Sequence, residues 1–119
     1  MEKGGQHIGF GVRGGAGQPL AHAQFVSNFV DYGMNLQEAL EAPRFAKTNA
    51  AGCDVAIEFR VPAATLQQLS ERGHIIQIRR EYVETMGRGQ AILHDSNTGT
   101  NYAASDPRAD GAAIPELIH

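Results

Sequence analysis

The first clear pattern in the chain is an alternation of apolar residues with glycine near its start. Ile8, Phe10 and Val12 are separated by single residues, and this period of two predicts a strand over residues 6–12. The intervening glycines indicate that another backbone packs closely against that face of the strand. Glycine and alanine over residues 14–17 then predict a turn.

After the turn, the spacing of apolar residues changes to that of a helix. Pro19 suits the first helical turn, because the N–H that proline lacks would have no partner there. Apolar side chains follow in a wide stripe, at Leu20, Ala23, Phe25, Val26, Phe29 and Val30. A stripe of this width predicts a largely buried helix, which Gly33 ends.

A second, shorter helix is predicted by its capping residues. Asn35 is a favourable N-cap, and Glu38 lies three residues later, as in a capping box. The helix then covers residues 36–41 and ends before Pro43, because a residue that precedes proline disfavours the helical conformation. Residues 47–52 are small or polar and predict a loop.

The second half of the sequence places a third helix among strands. Val55, Ile57 and Phe59 alternate with other residues in a strand pattern, Pro62 opens the helix, and Gly73 suits its C-terminus. Further strands are predicted over residues 75–78, 90–94 and 100–104, with a hairpin turn over residues 96–99. The elements together predict an α+β fold.

No internal repeat or linker divides the sequence, so a single domain is expected over residues 1–119. Its last segment, residues 106–119, is rich in proline, alanine, aspartate and glycine and is expected to be irregular. With 42% hydrophobic residues, the 119-residue chain can form a modest core and is not disordered in composition.

Charge and hydropathy narrow the classes of partner. The net charge is −3 and the basic residues are scattered, which argues against nucleic-acid binding. No apolar run approaches the roughly 20 residues that span a bilayer, so no membrane association is expected.

Side chains that could bind metal or act as nucleophiles form no recognisable site. Cys53 has no second cysteine in the chain to pair with, and it is expected to be a small packed residue at the start of a strand. The histidines lack metal-ligand spacing and are expected at the surface, at His7, His22, His74, His94 and His119. No metal and no cofactor are expected.

Residues 9–14 match the G-x-G-x-x-G pattern of dinucleotide-binding proteins, between a strand and a helix. That fold requires a second parallel strand with an acidic residue at its end. Asp31 has nearly the right spacing, but it falls at the end of the predicted helix, and Asn35 begins another helix. We therefore favour a glycine-containing strand followed by a tight turn.

Several sequence blocks resemble the C-terminal part of the small subunit of γ-glutamyltransferases, in the same order and with similar spacing. These blocks are RGGAGQP at residues 13–19, NFVDYGM at 28–34, EALEAPRF at 38–45 and ASDPRADGAA at 104–113. Met86 and Gly87, which precede a glutamine-bearing strand, also fit. The resemblance covers nearly the whole chain.

The resemblance implies a fold and an activity. The fold would be part of the α-β-β-α sandwich of N-terminal nucleophile hydrolases, with mostly antiparallel strands and about three helices. The activity would be transfer or hydrolysis of γ-glutamyl groups, for example from glutathione, by the N-terminal threonine of a self-cleaved precursor. A threonine hydroxyl is a weak nucleophile, and its own α-amine can act as the base.

Gly14 and Gly15 match the family's oxyanion-hole glycines. Backbone N–H groups that precede a helix lack intrahelical partners, so they can stabilise the oxyanion of an acyl-transfer intermediate. In the family, the threonine and the residues that bind the substrate's α-carboxylate and α-amine lie upstream, and this chain contains no match to them. The chain alone is therefore expected to be inactive.

Three charged residues belong to the matching blocks. Arg44 is expected to form an ion pair with Glu41 or another carboxylate rather than to contact substrate. Asp106 and Arg108 are expected to organise the terminal turn. The alternative for these two is a place in the pocket of an intact enzyme.

Two functions follow as hypotheses. In the first, the chain is a segment of an enzyme, with the upstream part as its partner and a small γ-glutamyl compound, or another amide such as a β-lactam side chain, as substrate. In the second, it is a free-standing binding module that keeps the fold without the chemistry. Part of a sandwich leaves an open edge and an apolar face, so a homo-oligomer is expected. A free-standing chain would be cytoplasmic, whereas family members are often periplasmic or secreted.

Overall fold

Two β-sheets organise the described part of the chain. The computed structural model describes residues 1–47, 49 and 51–116. Its strands are β1 (Glu2–Lys3), β2 (Gln6–Arg13), β3 (Phe45–Ala46), β4 (Asp54–Glu58), β5 (Ile75–Arg79), β6 (Arg88–Asp95) and β7 (Thr100–Ser105). One sheet has the order β1-β2-β6-β7, and the other has the order β3-β4-β5.

The four-stranded sheet is antiparallel and joins the beginning of the chain to a late segment. β2 pairs with β6 along its whole length, from Gln6 opposite Asp95 to Arg13 opposite Arg88. β6 and β7 form the predicted hairpin. In the other sheet, β3 pairs antiparallel with β4, whereas β4 and β5 are parallel. Parallel neighbours need a crossover connection, and the third helix lies in it.

The α-helices of the described residues are α1 (Gln18–Val30), α2 (Leu36–Glu41) and α3 (Ala63–Glu71). α1 contacts β2, and α2 contacts β6 and β7. Phe10 of β2 stacks on Phe25 of α1 with 4.5 Å between the ring centroids, and Phe25 is buried beside Leu40 of α2. The expected α+β class, with three helices and mostly antiparallel strands, is confirmed.

The capping residues of α2 act as the sequence predicts. The Asn35 side chain accepts a hydrogen bond from the N–H of Glu38, and the Glu38 carboxylate accepts one from the N–H of Asn35, both at 2.9 Å. This reciprocal pair satisfies two amides that the first helical turn leaves without partners. The helix covers residues 36–41, as predicted.

Burial along α1 differs from the expectation. Its buried residues are Ala21 and Phe25, whereas Val30 is 56% exposed. The apolar stripe is wide, but the sheet and α2 cover only one side of it. The expectation of a largely buried helix is therefore wrong for this chain.

β4 is buried on both faces, because Ala56 and Glu58 are buried together with Val55 and Ile57. The strand lies between β3 and β5 in the sheet. One expectation beside this strand needs correction. Cys53 is exposed rather than packed, since it precedes the first residue of β4.

The second sheet leaves apolar surface uncovered. α3 begins after Pro62 and is followed by Gly73, as predicted, but none of its residues is fully buried. On the neighbouring strand β5, Ile75 and Ile78 are 64% and 52% exposed. Between α3 and β4 lies an apolar groove of about 430 Å³.

Residues 106–116 form no helix or strand, yet Asp106 and Arg108 are among the most buried polar residues of the described chain. The end of the predicted tail, residues 117–119, lies outside the described residues, as do residues 48 and 50 of the predicted loop. Among the described helices, none has the length and hydropathy needed to cross a bilayer.

Candidate functional site

The glycine turn lies between the end of β2 and the start of α1. Gly15–Gly17 form one turn of 3-10 helix, and the N–H of Gly17 donates to the Gly14 carbonyl at 3.0 Å. Gly15 has φ +56°, a conformation that residues with a side chain rarely adopt. The backbone there is open, with no atom within 4 Å of the place where a Cβ would lie.

The backbone amides of this turn can serve as donors to an external anion. Gly15 is the first residue of the 3-10 turn and Gly14 precedes it, so neither N–H has a carbonyl inside the turn to bond. Both residues also follow the last paired residue of β2. This geometry is compatible with the predicted oxyanion role, which stays a prediction.

A small crevice adjoins the turn. It measures about 20 Å³ and is lined by Gly14, Gly17, Leu20, Ala21, Phe45, Ala46, Thr85 and Met86. Such a volume holds about one water molecule. The crevice is therefore too small to hold a substrate the size of an amino acid.

A buried group of four charged side chains lies beneath the turn. We call Arg44, Glu58, Asp106 and Arg108 the ionic cluster, and each is at most 6% exposed. Arg44 pairs with Asp106 at 2.6 Å, and the Arg108 guanidinium bonds both oxygens of Glu58, with 2.7 Å from Nε to Oε1. Arg108 also donates to Asp106 at 3.0 Å.

The cluster connects parts of the chain that are far apart in sequence. Arg44 follows α2, Glu58 ends β4, and the other two residues follow β7. Arg108 further donates to the carbonyls of Leu40 and Ala42, at 2.8 and 3.0 Å. The cluster therefore joins the two sheets and the end of α2.

The charges of the cluster shift one another's pKa. Burial alone would raise the pKa of Glu58, but hydrogen bonds from Arg108 and from the N–H of Arg44 outweigh it and hold that pKa below its usual value. Burial and the neighbouring Arg108 lower the pKa of Arg44 despite Asp106. Burial also acts to lower the pKa of Arg108, yet Glu58 and Asp106 raise it overall. The surroundings therefore favour the charged forms of both Glu58 and Arg108.

The expected ion pair of Arg44 is present, but its partner is Asp106 rather than Glu41, which accepts a hydrogen bond from Gln37 instead. Asp106 does organise the terminal turn, since it accepts from the N–H of Arg108 at 3.0 Å. Sequence reasoning missed Glu58 as a partner. The available indication was a carboxylate directly after the apolar run of residues 55–57.

The other residues singled out from the sequence do not join the site. In the described part of the chain, no group of three or more histidine, cysteine or acidic side chains could hold a metal. His22 accepts a hydrogen bond from the N–H of Val12, and His94 contacts Asn101 at 2.7 Å. His119 lies outside the described residues. The dinucleotide hypothesis is wrong, because the glycine strand β2 lies between antiparallel partners.

Comparisons with known proteins agree on one family. A sequence model of the gamma-glutamyltranspeptidase family matches residues 1–116. The glutathione hydrolase-like YwrD proenzyme of Bacillus subtilis is 34% identical over 116 residues, which are 94% of this chain and 22% of that protein. The oxamate amidohydrolase proenzyme of Klebsiella pneumoniae is 33% identical over 112 residues, covering 92% of this chain and 21% of that protein.

The crystal structure of cephalosporin acylase from Bacillus halodurans is 41% identical, with a TM-score of 0.83 over 92% of this chain and 20% of that one. This match confirms the expected fold, part of the N-terminal-nucleophile-hydrolase sandwich. The chain spans about a fifth of the length of each of these relatives. In each of them, the matching region is part of a longer protein.

Proposed function

This chain belongs to the gamma-glutamyltranspeptidase family, and we propose that it is the C-terminal segment of an enzyme that transfers or hydrolyses γ-glutamyl groups. In this proposal, Gly14 and Gly15 supply the oxyanion hole. The observation that carries it is the open backbone at Gly15, which has a φ of +56° and lies between the last paired residue of β2 and the first helical turn. No cofactor takes part.

The chemistry needs a second part of the enzyme. A threonine hydroxyl attacks the γ-carbonyl of the substrate and passes its proton to the threonine's own α-amine, and the carbonyl oxygen becomes an oxyanion. The two glycine N–H groups would donate to that oxygen. Collapse of the intermediate returns the proton from the α-ammonium to the leaving amine and leaves the γ-glutamyl group as an ester on the threonine, which water or an acceptor amine then cleaves. Donors placed for the oxyanion rather than for the ground-state carbonyl lower the barrier.

This chain is proposed to be inactive alone. One threonine, Thr85, lines the crevice beside the turn, and it is exposed to solvent. Thr85 is internal, so its nitrogen is part of a peptide bond and cannot act as the base. The nucleophile and the substrate-binding residues would come from the upstream part of the enzyme, which is the proposed partner.

A second candidate is a free-standing binding or interaction module without chemistry. It is favoured by one observation, the uncovered apolar groove whose walls include Phe45, Val55, Ile57 and Leu69. The names of the relatives, which mention glutathione, oxamate and cephalosporin, differ in substrate. Within the enzyme proposal the γ-glutamyl substrate therefore rests on the family, and another small amide is the alternative.

A chimera tests the proposal. The C-terminal segment of an active relative is replaced by this chain, and turnover of a chromogenic γ-glutamyl anilide is measured for the chimera and for the pure chain. We expect turnover from the chimera and none from the chain. In the chimera, Gly15→Ala should lower kcat by about 100-fold, because a side chain at this φ shifts a donor of the oxyanion.

Gly17→Ala is the matched control for that variant. Gly17 belongs to the same turn and is equally open, but it has an ordinary φ of −79°. The control should keep kcat within a few-fold of the parent chimera. Turnover by the stringently purified chain, or an unchanged kcat in Gly15→Ala, would overturn the proposal.

A further inference from the structure

We propose that Gly87 is a positioning residue for the oxyanion turn, and that Arg44 holds Gly87 in place. The catalytic consequence rests on the proposed function, whereas the positioning itself can be tested without any activity. Neither residue would touch substrate. Their effect on the reaction would pass through the backbone at Gly14.

Gly87 lies where only a glycine fits. Its φ is +100°, and a Cβ would lie 2.6 Å from Cγ1 of Val12 and 3.1 Å from the carbonyl oxygen of Arg13. Both distances are shorter than van der Waals contact to an added carbon allows. These two residues end β2 and lead directly into the turn. Gly87 therefore packs against the backbone of the strand immediately before Gly14.

The contact continues to the turn itself. A Cβ added to Gly14 would meet the Cα of Gly87 at 3.4 Å, so the two backbones pass each other without any side chain between them. The next residue after Gly87 is Arg88, which pairs with Arg13 as the last step of the β2–β6 ladder. The turn therefore lies directly against the start of β6.

Arg44 fixes the other side of Gly87. Its Nη1 donates to the Gly87 carbonyl at 2.7 Å, and its Nη2 donates to the Leu40 carbonyl at 3.2 Å and pairs with Asp106 at 2.6 Å. A buried planar guanidinium held at several points is rigid, and a lysine cannot reproduce these contacts. The position of Gly14 is thus linked through Gly87 and Arg44 to the ionic cluster.

The test compares two glycine variants of the ¹⁵N-labelled chain by amide chemical shift and hydrogen exchange. Gly87→Ala removes the close approach. Gly73→Ala is the matched control, because Gly73 has a similar φ of +92° but no atom within 4 Å of a Cβ. Both variants strain the backbone through their positive φ. Only Gly87→Ala also brings a methyl group into contact with β2.

We expect Gly87→Ala to shift the amide resonances of Gly14, Gly15 and Gly17 and to speed the exchange of the Gly17 amide, which is hydrogen-bonded to the Gly14 carbonyl, by about tenfold, as local loosening does. Gly73→Ala should leave these three amides unchanged. Unchanged glycine amides in Gly87→Ala, or equal changes in both variants, would overturn the proposal.

Arg44→Lys provides a second route if Gly87→Ala does not fold. Lysine keeps a positive charge near Asp106 but lacks the fork that reaches Gly87. Shifts at Gly14, Gly15 and Gly17 are again expected, and changes confined to the surroundings of Asp106 would refute the link.

In the chimera, a displaced turn should lower kcat more than it raises KM. A shifted turn with unchanged kcat would refute the oxyanion role of the glycines and leave the positioning intact. The two proposals can therefore fail separately.

Discussion

At the scale of single residues, Glu58 is a carboxylate whose charge is almost completely buried, with 1% of the residue exposed. Its carboxylate accepts hydrogen bonds from Arg108 and from the N–H groups of Arg44 and Val83. A buried carboxylate remains charged only while such donors surround it. The removal of one arginine would therefore leave a buried charge without its partner and lower the free energy of unfolding.

Arg108→Met should lower the free energy of unfolding by about 3–5 kcal/mol, since it leaves Glu58 without its main partner in a buried place. Urea denaturation followed by circular dichroism measures the change. The control is Arg88→Met, because Arg88 forms a solvent-accessible ion pair with Glu84, four residues earlier in sequence, and such pairs contribute about 0–1 kcal/mol. Similar losses in both variants would contradict a special role for the cluster.

The pKa of Glu58 also predicts how stability depends on pH. The folded pKa lies below the usual value of 4.5, so the unfolded chain takes up a proton more readily at this residue. The stabilisation is complete above pH 4.5 and is lost as pH falls from there through the lower folded pKa. Urea unfolding at a series of pH values should show this decline.

Glu58→Gln cannot titrate and should flatten this part of the pH dependence, at the cost of lower stability at neutral pH. Glu71→Gln, which removes an exposed carboxylate of α3, should keep the decline of the parent chain. If the decline persists unchanged in Glu58→Gln, the pH dependence of stability arises from other titrating groups.

At the scale of elements, α2 shows how far local sequence determines structure. Its capping box, its bounds and its end before Pro43 were all predictable, because they depend on residues within a few positions of one another. The burial of β4 was not predictable in the same way. It depends on β3, β5 and the ionic cluster, whose members come from distant parts of the sequence.

Asn35→Ala should lower the free energy of unfolding by about 1 kcal/mol, because the N–H of Glu38 loses its acceptor. Asn35→Ser is the matched control and should remain close to the parent, since a serine oxygen can accept the same hydrogen bond. Thermal and urea unfolding of both variants give the comparison. A serine variant as unstable as the alanine variant would point to a contact other than the cap.

At the scale of the whole molecule, the second sheet exposes apolar side chains to solvent. Ile75 and Ile78 of the edge strand β5 are more than half exposed. Exposed edges and apolar faces of this kind associate with other chains. We therefore expect the isolated chain to form oligomers whose population rises with protein concentration.

Sedimentation velocity over a range of concentrations tests this expectation. Ile78→Lys should shift the distribution toward monomer, because a charge on the apolar face opposes association. Gln77→Lys adds the same charge to the neighbouring exposed position of β5 and should have a smaller effect. A compact monomer at every concentration would show that nothing needs to cover the sheet.

Only part of the candidate site could be predicted from the sequence. The glycine turn could be located from its residues and from the family blocks that surround it. The positions of Gly87 and Asp106 could not be predicted from the sequence. They depend on the pairing of β2 with β6 and on contacts between residues that are distant in sequence. Period and capping describe neighbours in sequence, whereas this site is made by neighbours in space.

The pairing of β2 with β6 has a consequence for synthesis on the ribosome. The turn is synthesised before the strand that holds it in place and before the residues of the ionic cluster that follow β7. Contacts between distant segments form late, because the intervening chain must first be made and ordered. The donors of the proposed oxyanion hole would therefore be set in place only after β6 and the cluster residues that follow β7 have been translated.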